Sequence, residues 1–300
     1  MLDYLHYKVR TTPWLGRLAL KSIPNLNWHV NIDPIGRFAI HVREHRMFWL
    51  RPPLTNEGFM LGVLRRLIRQ GDVVYDIGAN IGLYCRFMVQ CFKSSHVYAF
   101  EPVETNRLLI ARNMAIAACS NQVTILPCAV ADNDGTAEFE IDDLTSNTGA
   151  LCAVTHGKAS ESRAQYGLPP VTTSVQIARL DTLIESQRLA TPDVIKIDVE
   201  GAESMVLDGS RNLLSAHRPR LAIEIHNADV GRSVLQTLWS YGYHCFGCLA
   251  TEKTKPYREL FPQDLKRIES RYSLLSIAAS PSAEDLAEPV EEFTSSACSL

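Results

Sequence analysis

Three stretches of this 300-residue chain bring together residue types that could do chemistry. In Val74-Tyr-Asp-Ile-Gly-Ala-Asn-Ile-Gly82 an apolar run ends in Asp76, turns through Gly78 and Asn80, and meets Gly82. Glycines at such a turn let the backbone approach a ligand and adopt conformations that a Cβ forbids. The pattern is G-x-N-x-G rather than the G-x-G-x-x-G of a dinucleotide site, and no Lys-Ser/Thr follows as in a phosphate-binding P-loop. The loop therefore suits a small ligand of modest negative charge. A second apolar run, Tyr98-Ala-Phe-Glu101-Pro, places an acid 19 residues after Gly82. At that place in a doubly wound sheet a carboxylate accepts hydrogen bonds from a ribose diol. Asp76 as a turn cap and Glu101 as a solvated acid would explain either alone; both at this spacing favour a ligand.

The third stretch is Val194–Glu200. As an extended strand it puts Lys196, Asp198 and Glu200 on one face and Ile195, Ile197 and Val199 on the other. Central strands of parallel sheets are apolar on both faces, so three charges there are costly unless they pair or serve a ligand. The next apolar run repeats the device with Glu224 and His226. A purely structural network of Lys196 with Asp198 or Glu224 is the bland alternative, stronger for Lys196 and Glu224 than for Asp198, Glu200 and His226 near the strand ends.

The elements that must position these groups are legible as an alternation. Helical spacing from Asn56 to Gln70 is followed by a strand at 73–77, a helix at 81–92, a strand at 96–102, a helix at 104–119 and a strand at 122–130. After an interval come the strand at 194–199, a helix from Ala202 to Leu214, a strand at 220–226 and a helix from Val230 to Tyr241. Strands alternating with amphipathic helices define βαβ units around a parallel sheet with helices on both faces. The interval 131–193 breaks the rhythm: Asp132-Asn-Asp-Gly135 is a turn, TAEFEI and TSVQIARL read as edge strands or a hairpin, and 145–170 is polar. Such an insertion at a sheet rim can shape a substrate site. Residues 1–54 are irregular, with strand-like pieces in RFAIHV and RMFWL.

In this order DIGANIG, AFEP, AVADNDG, IKIDVEGAE and EIH resemble the FkbM-type S-adenosylmethionine-dependent methyltransferases, from about Asn56 to His226. DIGANIG is shared by several methyltransferase groups; IKIDVEGAE followed by LDGS is the more specific part. The resemblance implies an α/β, doubly wound, Rossmann-like sheet of seven strands with the last antiparallel. It implies S-adenosyl-L-methionine lying across Asp76, Gly78, Asn80 and Gly82, its ribose on Glu101 and its adenine near Ala129, Val130 and Asp132. It divides the chain into a lead-in (1–55) that could act as lid or substrate region, a methyltransferase domain (56–279) containing the 131–193 insertion, and an acidic tail (280–300) expected to be disordered.

Transfer from a sulfonium needs an aligned acceptor and, for a hydroxyl, a base. His226 is the first candidate for that base, its ordinary pKa of about 6.5 lying near working pH; Asp198 or Glu200 could hold the imidazole or replace it. Asp198 with His226 or Asn227 could alternatively ligate Mg²⁺, but one carboxylate beside a His and an Asn is a sparse oxygen set, so a metal-free site is favoured. The expected acceptor is a hydroxyl of a small molecule, a sugar, a glycan or a secondary metabolite. A nucleic-acid methyltransferase would want a dense basic surface or an Asn/Asp-Pro-Pro-Tyr/Phe tetrapeptide, which the chain lacks. An NAD-dependent oxidoreductase would want the missing third glycine, and a non-catalytic binding protein is the remaining alternative.

Composition agrees. Thirty Lys+Arg against 33 Asp+Glu give a net charge of −3, too near neutral for wrapping nucleic acid. The skew lies at the ends: residues 1–70 hold eleven basic and four acidic residues, and Glu284–Glu292 holds five acids. The eight cysteines are scattered in apolar stretches and read as buried thiols, with Cys245-Phe-Gly-Cys248 too isolated for a zinc ribbon. The other histidines, His41 and His45 among them, show no ligand spacing. No apolar run reaches the ~18 residues of a membrane span, and the N-terminus lacks a signal-peptide core, so a cytoplasmic location is expected.

Overall fold

A computed structural model describes residues 25–50, 54, 57–141, 149–155, 163–164, 168–187, 189–249, 257–269, 274–286 and 293. It opens with an antiparallel hairpin, Asn27–Ile32 (β1) and Gly36–His41 (β2). The strand expected in RMFWL is instead a short helix, Met47–Leu50 (α1). Backbone bonds from His45 N to His41 O and from Phe48 N to His45 O wind that segment into helical turns.

Then follow Gly58–Leu67 (α2), Val73–Ile77 (β3), Leu83–Gln90 (α3), His96–Phe100 (β4), Glu104–Ile116 (α4) and Val123–Leu126 (β5). The run expected as one strand at 122–130 breaks at Pro127, and Ala129–Val130 (β6) joins a different sheet. Proline cannot continue a ladder through its nitrogen, which gives the break its physical basis. The insertion supplies Gly135–Glu140 (β7), Ala150–Leu151 (β8), Cys152–Thr155 (α5) and Thr172–Ala178 (β9), and Leu180–Gln187 (α6) leads back. Strands β6, β9, β7 and β8 make a four-stranded sheet in that order, with β7 and β9 antiparallel over six residue pairs.

The chain returns to the main sheet at Val194–Ile197 (β10) and continues through Glu203–Asp208 (α7), Arg211–Ala216 (α8), Arg220–Glu224 (β11), Ala228–Ser240 (α9), His244–Leu249 (β12), Arg258–Leu260 (β13) and Leu274–Ser280 (β14). The expected single helix at 202–214 is two helices. At Gly209 a Cβ would stand 2.0 Å from the Ala131 carbonyl oxygen, so backbone packs on backbone there. The Asp181 carboxylate then accepts the N–H groups of Asn212 and Leu213 and restarts the helix as α8.

The main sheet runs β13-β12-β14-β11-β10-β3-β4-β5. Strands β5, β4, β3, β10 and β11 are parallel, and β14 inserts antiparallel between β11 and β12. The sheet has eight strands where seven were expected, the extra one being β13 at the edge. Alternation sorts the central strands: Val74, Val97 and Ala99 join α2, α3, α4 and the β1–β2 hairpin in one core. Tyr75, Ile77, Ile195, Ile197, Leu221 and Ile223 join α6 to α9 in the other. Each fully buried Leu or Phe in these layers contributes roughly 1.5–3 kcal/mol by removal from water. The strand order reverses around β3, whose neighbours are β10 and β4, and this opens the crevice in which ligands of such sheets bind.

The described parts of both ends are built into this core. Asn113 on α4 accepts the Ala39 N–H at 2.6 Å and donates to Ala39 O at 3.1 Å, while the buried Arg86 donates to the carbonyls of Ile35 and Asn113. In the tail, expected to be disordered, Phe293 is buried edge-on against Phe87 and Phe92, and Asp285 pairs with Arg69 at 2.6 Å. Apolar anchors among the acids, Leu286 and Phe293, account for the difference. Cys85, Cys119, Cys128, Cys152 and Cys245 are free thiols as expected. Cys91, which caps α3 beside Phe92, corrects that reading: it is disulfide-bonded. No described helix is long and apolar enough to cross a membrane.

Candidate active site

The Gly78–Gly82 loop joins β3 to α3 with three alternate positions in the left-handed region. Gly78 has φ +77°, Asn80 +49° and Gly82 +83°. A Cβ on Gly78 would lie 1.9 Å from the Asp198 carbonyl oxygen, so the close approach of the loop to β10 requires glycine. Gly78 and Ala79 donate their N–H groups to Phe100 O, which ties the loop to β4.

Behind the loop lies a buried charge network. Asp76 and Lys196 are paired in the β3–β10 register, 0% and 1% exposed, with Nζ 3.1 Å from Asp76 Oδ1. Lys196 also donates to Gly78 O at 3.1 Å, reaches Asp198 Oδ2 at 3.3 Å and lies over the Tyr84 ring. Burial would lower the pKa of Lys196, but the adjacent Asp76 and Asp198 charges outweigh it and hold the ammonium protonated. Lys196 thus fills the structural role weighed for it, and Asp76 shapes the loop from below. Cys85 donates to Asp76 Oδ2, and Tyr84 donates to Glu57 at the start of α2.

Glu101 ends β4 as expected, 5% exposed. Its Oε2 accepts the Asn80 N–H at 2.9 Å, and its Oε1 accepts the Val103 N–H at 2.9 Å and Asn106 Nδ2 at 3.3 Å. Burial pushes its pKa up to about 7 against the pull of these bonds and of Arg107. A cavity opens above it, walled by Gly78, Asn80 and Glu101 on one side and by Asp198, Val199 and Glu200 on the other. Ala129 and Val130 line it as expected; Phe139, Gly149 and Leu151 of the small sheet close it. Asp132 is exposed and does not line the cavity, because the chain turns outward after β6. Gly82 caps α3 behind the lining, against Ile110 and Met114. Replacing Glu101 with Gln is expected to weaken a ribose-bearing ligand at least tenfold by calorimetry, since an amide cannot match the carboxylate as a double acceptor.

The rim carries the acid–base groups. Regular strand ends at Ile197, so the single charged face expected through Glu200 is corrected: Glu200 has φ +53° and Gly201 φ +108°, which turns the chain over the end of β10. His226 nevertheless meets both acids, its Nε2 3.6 Å from Asp198 Oδ1 and 3.5 Å from Glu200 Oε2. Its Nδ1 is 2.5 Å from Oε1 of Glu203, a fully buried residue in the first turn of α7 that the sequence reading passed over. The signal was present, since Glu203 is the second acid of VEGAE, but its burial on a helix was not legible. Burial lowers the His226 pKa; the Glu203 bond and the charges of Glu200, Glu203 and Asp198 reverse this and raise it to about 10. At that value the imidazole carries its proton at neutral pH, in contrast to the ordinary pKa on which its expected role as base was argued. Beside it the Asp198 charge, together with burial, pushes Glu224 up to about 8.

Among the described residues two groups could hold a metal ion. Asp198, Glu224 and His226 offer atoms within 4.8 Å of one another. Asn227 does not belong to that set, because its Oδ1 accepts the Val230 N–H at 2.8 Å and caps α9. The other group, His41, Glu44 and His45, corrects the expectation that these histidines share no ligand spacing. Hydrogen bonds occupy it: His41 Nδ1 meets Glu44 Oε2 at 3.0 Å, and His45 Nδ1 accepts the His41 N–H at 3.0 Å.

A reversing parallel sheet, a glycine loop at its switch point and an acid-lined cavity above it form the ligand-binding crevice of an open α/β fold. The chain belongs to the methyltransferase FkbM domain family, whose model matches residues 76–245. It is 27% identical over 223 residues to the hexuronic acid methyltransferase AglP of Haloferax volcanii, covering 74% of this chain and 81% of that one. It is 27% identical over 179 residues to the 31-O-demethyl-FK506 methyltransferase FkbM of Streptomyces tacrolimicus, covering 54% and 68%. It is 24% identical over 172 residues to the 2-O-methyltransferase NoeI of Sinorhizobium fredii, covering 56% and 70%.

Proposed function

We propose that this chain is an S-adenosylmethionine-dependent O-methyltransferase acting on a hydroxyl of a small molecule, a sugar, a glycan or a secondary metabolite. The observation that carries the reading is that one cavity joins Glu101, Ala129 and Val130 to Asp198 and Glu200, so cofactor cradle and acid–base rim share a wall. Glu101 would take the ribose hydroxyls and Ala129 and Val130 the adenine. Gly78 and Asn80 form the loop beneath them. The charged groups lining the cavity among the described residues, Glu101, Asp198 and Glu200, are acids, which suits a sulfonium cation. Bound S-adenosylmethionine supplies an electrophilic methyl group, and the protein aligns the acceptor and removes its proton.

In this reading Asp198, with Glu200 beside it, is the base, and His226 donates a hydrogen bond to the acceptor oxygen. Relatives named for 31-O and 2-O positions support a hydroxyl acceptor, and one named for hexuronic acid supports a sugar. The acidic wall disfavours a phosphodiester backbone, so nucleic acid is not proposed. Lys196 and His226 already supply the positive charge near Asp198, and the metal-free site is kept; activity is expected to survive exhaustive EDTA treatment. The lead-in (1–55) and the small sheet are proposed to shape acceptor choice around the 56–279 domain. A cytoplasmic location is also proposed, supported by the five free thiols. The Cys91 disulfide stands against it, and cell fractionation decides.

Calorimetry with S-adenosylmethionine, S-adenosylhomocysteine and NAD tests the centre of the proposal. Binding of the first two without NAD is expected, followed by transfer of labelled methyl to a sugar hydroxyl. No binding of either methionine derivative would overturn it.

A further inference from the structure

Glu203 pays a high cost for its position. Its carboxylate is fully buried, Oε1 accepts the Gly201 N–H at 3.0 Å and lies 2.5 Å from His226 Nδ1, and Oε2 is buried with no hydrogen bond. A carboxylate kept there for stability alone would be expected to satisfy both oxygens. What it does achieve is geometric. One oxygen fixes two things at once: the Glu200–Gly201 turn, whose positive φ values aim Glu200 over the sheet end, and the imidazole of His226 on the next strand.

With Nδ1 held, Nε2 lies on the side of Asp198 Oδ1 and Glu200 Oε2, at 3.6 and 3.5 Å. Those separations are too long for direct hydrogen bonds. They are short enough for one hydroxyl oxygen to sit within hydrogen-bond distance of the imidazole and a carboxylate together.

We infer that Glu203 is a positioning residue for the acceptor hydroxyl, acting through His226 and the Glu200–Gly201 turn. The inference rests on the methyltransferase reading and deepens it. Held this way, His226 Nε2–H donates to the acceptor oxygen while the hydroxyl proton points at Asp198 or Glu200. As the methyl group bonds to that oxygen, the proton passes to the carboxylate, and S-adenosylhomocysteine leaves with the electron pair of the broken sulfur–methyl bond. Among the described residues the titratable groups facing the imidazole are Asp198 after β10, Glu200 in the turn, Glu203 on α7 and Glu224 on β11.

The test compares Glu203→Ala, the isosteric Glu203→Gln and the wild-type chain, with methyl α-D-glucopyranoside and D-glucuronate as acceptor probes. Glu203→Ala is expected to lower kcat at least tenfold, with cofactor affinity and acceptor KM changed less than threefold. Glu203→Gln, which still accepts both bonds, should recover most of kcat. In proton NMR the wild-type protein should show a far-downfield Nδ1–H resonance, assigned by its loss in His226→Gln and absent from Glu203→Ala. A kcat within threefold of wild type, equal losses of kcat and cofactor affinity, or a resonance unchanged in Glu203→Ala would each overturn the inference. If the wild-type chain methylates neither probe, the acceptor class proposed above fails for them. The resonance then decides positioning alone: dependent on Glu203 it supports the inference, independent of Glu203 it overturns it.

Discussion

Replacing Lys196 with Met is expected to destabilise the protein by about 3–5 kcal/mol, the usual cost of breaking a buried ion pair by removing one partner. Asp76 has no exposure, and Lys196 is the counter-ion at its side, 3.1 Å away. The methionine fills much of the volume, so the loss is electrostatic rather than a cavity. It also frees the Gly78 carbonyl, which Lys196 holds at 3.1 Å, and the loop under the proposed cofactor should loosen with it. Urea unfolding would show a lower midpoint at unchanged slope. The Asp76→Asn, Lys196→Met double variant should recover much of the stability, because the uncompensated charge is gone. A single variant as stable as wild type would mean that Asp76 is paired otherwise.

The second large effect concerns pH. With the His226 pKa raised to about 10, methyl transfer should not lose a group near pH 6.5 and should decline as pH rises through about 10. The imidazolium would then lose the proton it donates to the acceptor oxygen. If His226 were the base, the rate would instead climb toward pH 10, so the sign of the limb separates the two roles. Asp198→Ala should lower kcat by about 10²- to 10⁴-fold, the range for removal of a positioned base. Stability follows the same linkage. The folded-state pKa lies above the unfolded value of about 6.5, so the contribution is fully present below that pH and is lost between it and about 10. Thermal unfolding across that window should show a falling midpoint, flattened in His226→Gln.

Much of this was legible in the sequence because local rules and tertiary structure agree. The short apolar runs at 73–77, 96–100 and 220–224 are strands buried on both faces, and the Asp76–Gly82 turn sits at the switch point its glycines predicted. Alternation alone also put Lys196 and Asp198 on one face, while the pairing of Lys196 with Asp76 came only with the β3–β10 register. What escaped depends on contacts far apart in the chain. The break at Gly209 is set by Ala131, and the His226 pKa by three acids outside its own strand. Asn227 reads as a ligand until its helix is known to begin one residue later. Glu203 looks like one acid among several until its burial is seen.

The break at Pro127 has a consequence for how such an enzyme can change. Strand β5 stays with the cofactor strands while β6 crosses to the small sheet, and Phe139, Gly149 and Leu151 reach the cavity from that second sheet. One wall of the pocket is therefore built on a sheet other than the one that carries Gly78, Glu101 and Asp198. Segments grafted between Gly135 and Ala178 from a relative with another acceptor could retune selectivity while Gly78, Glu101 and Asp198 keep their places. Diversification of acceptors within one lineage then needs no redesign of the methyl donor's seat.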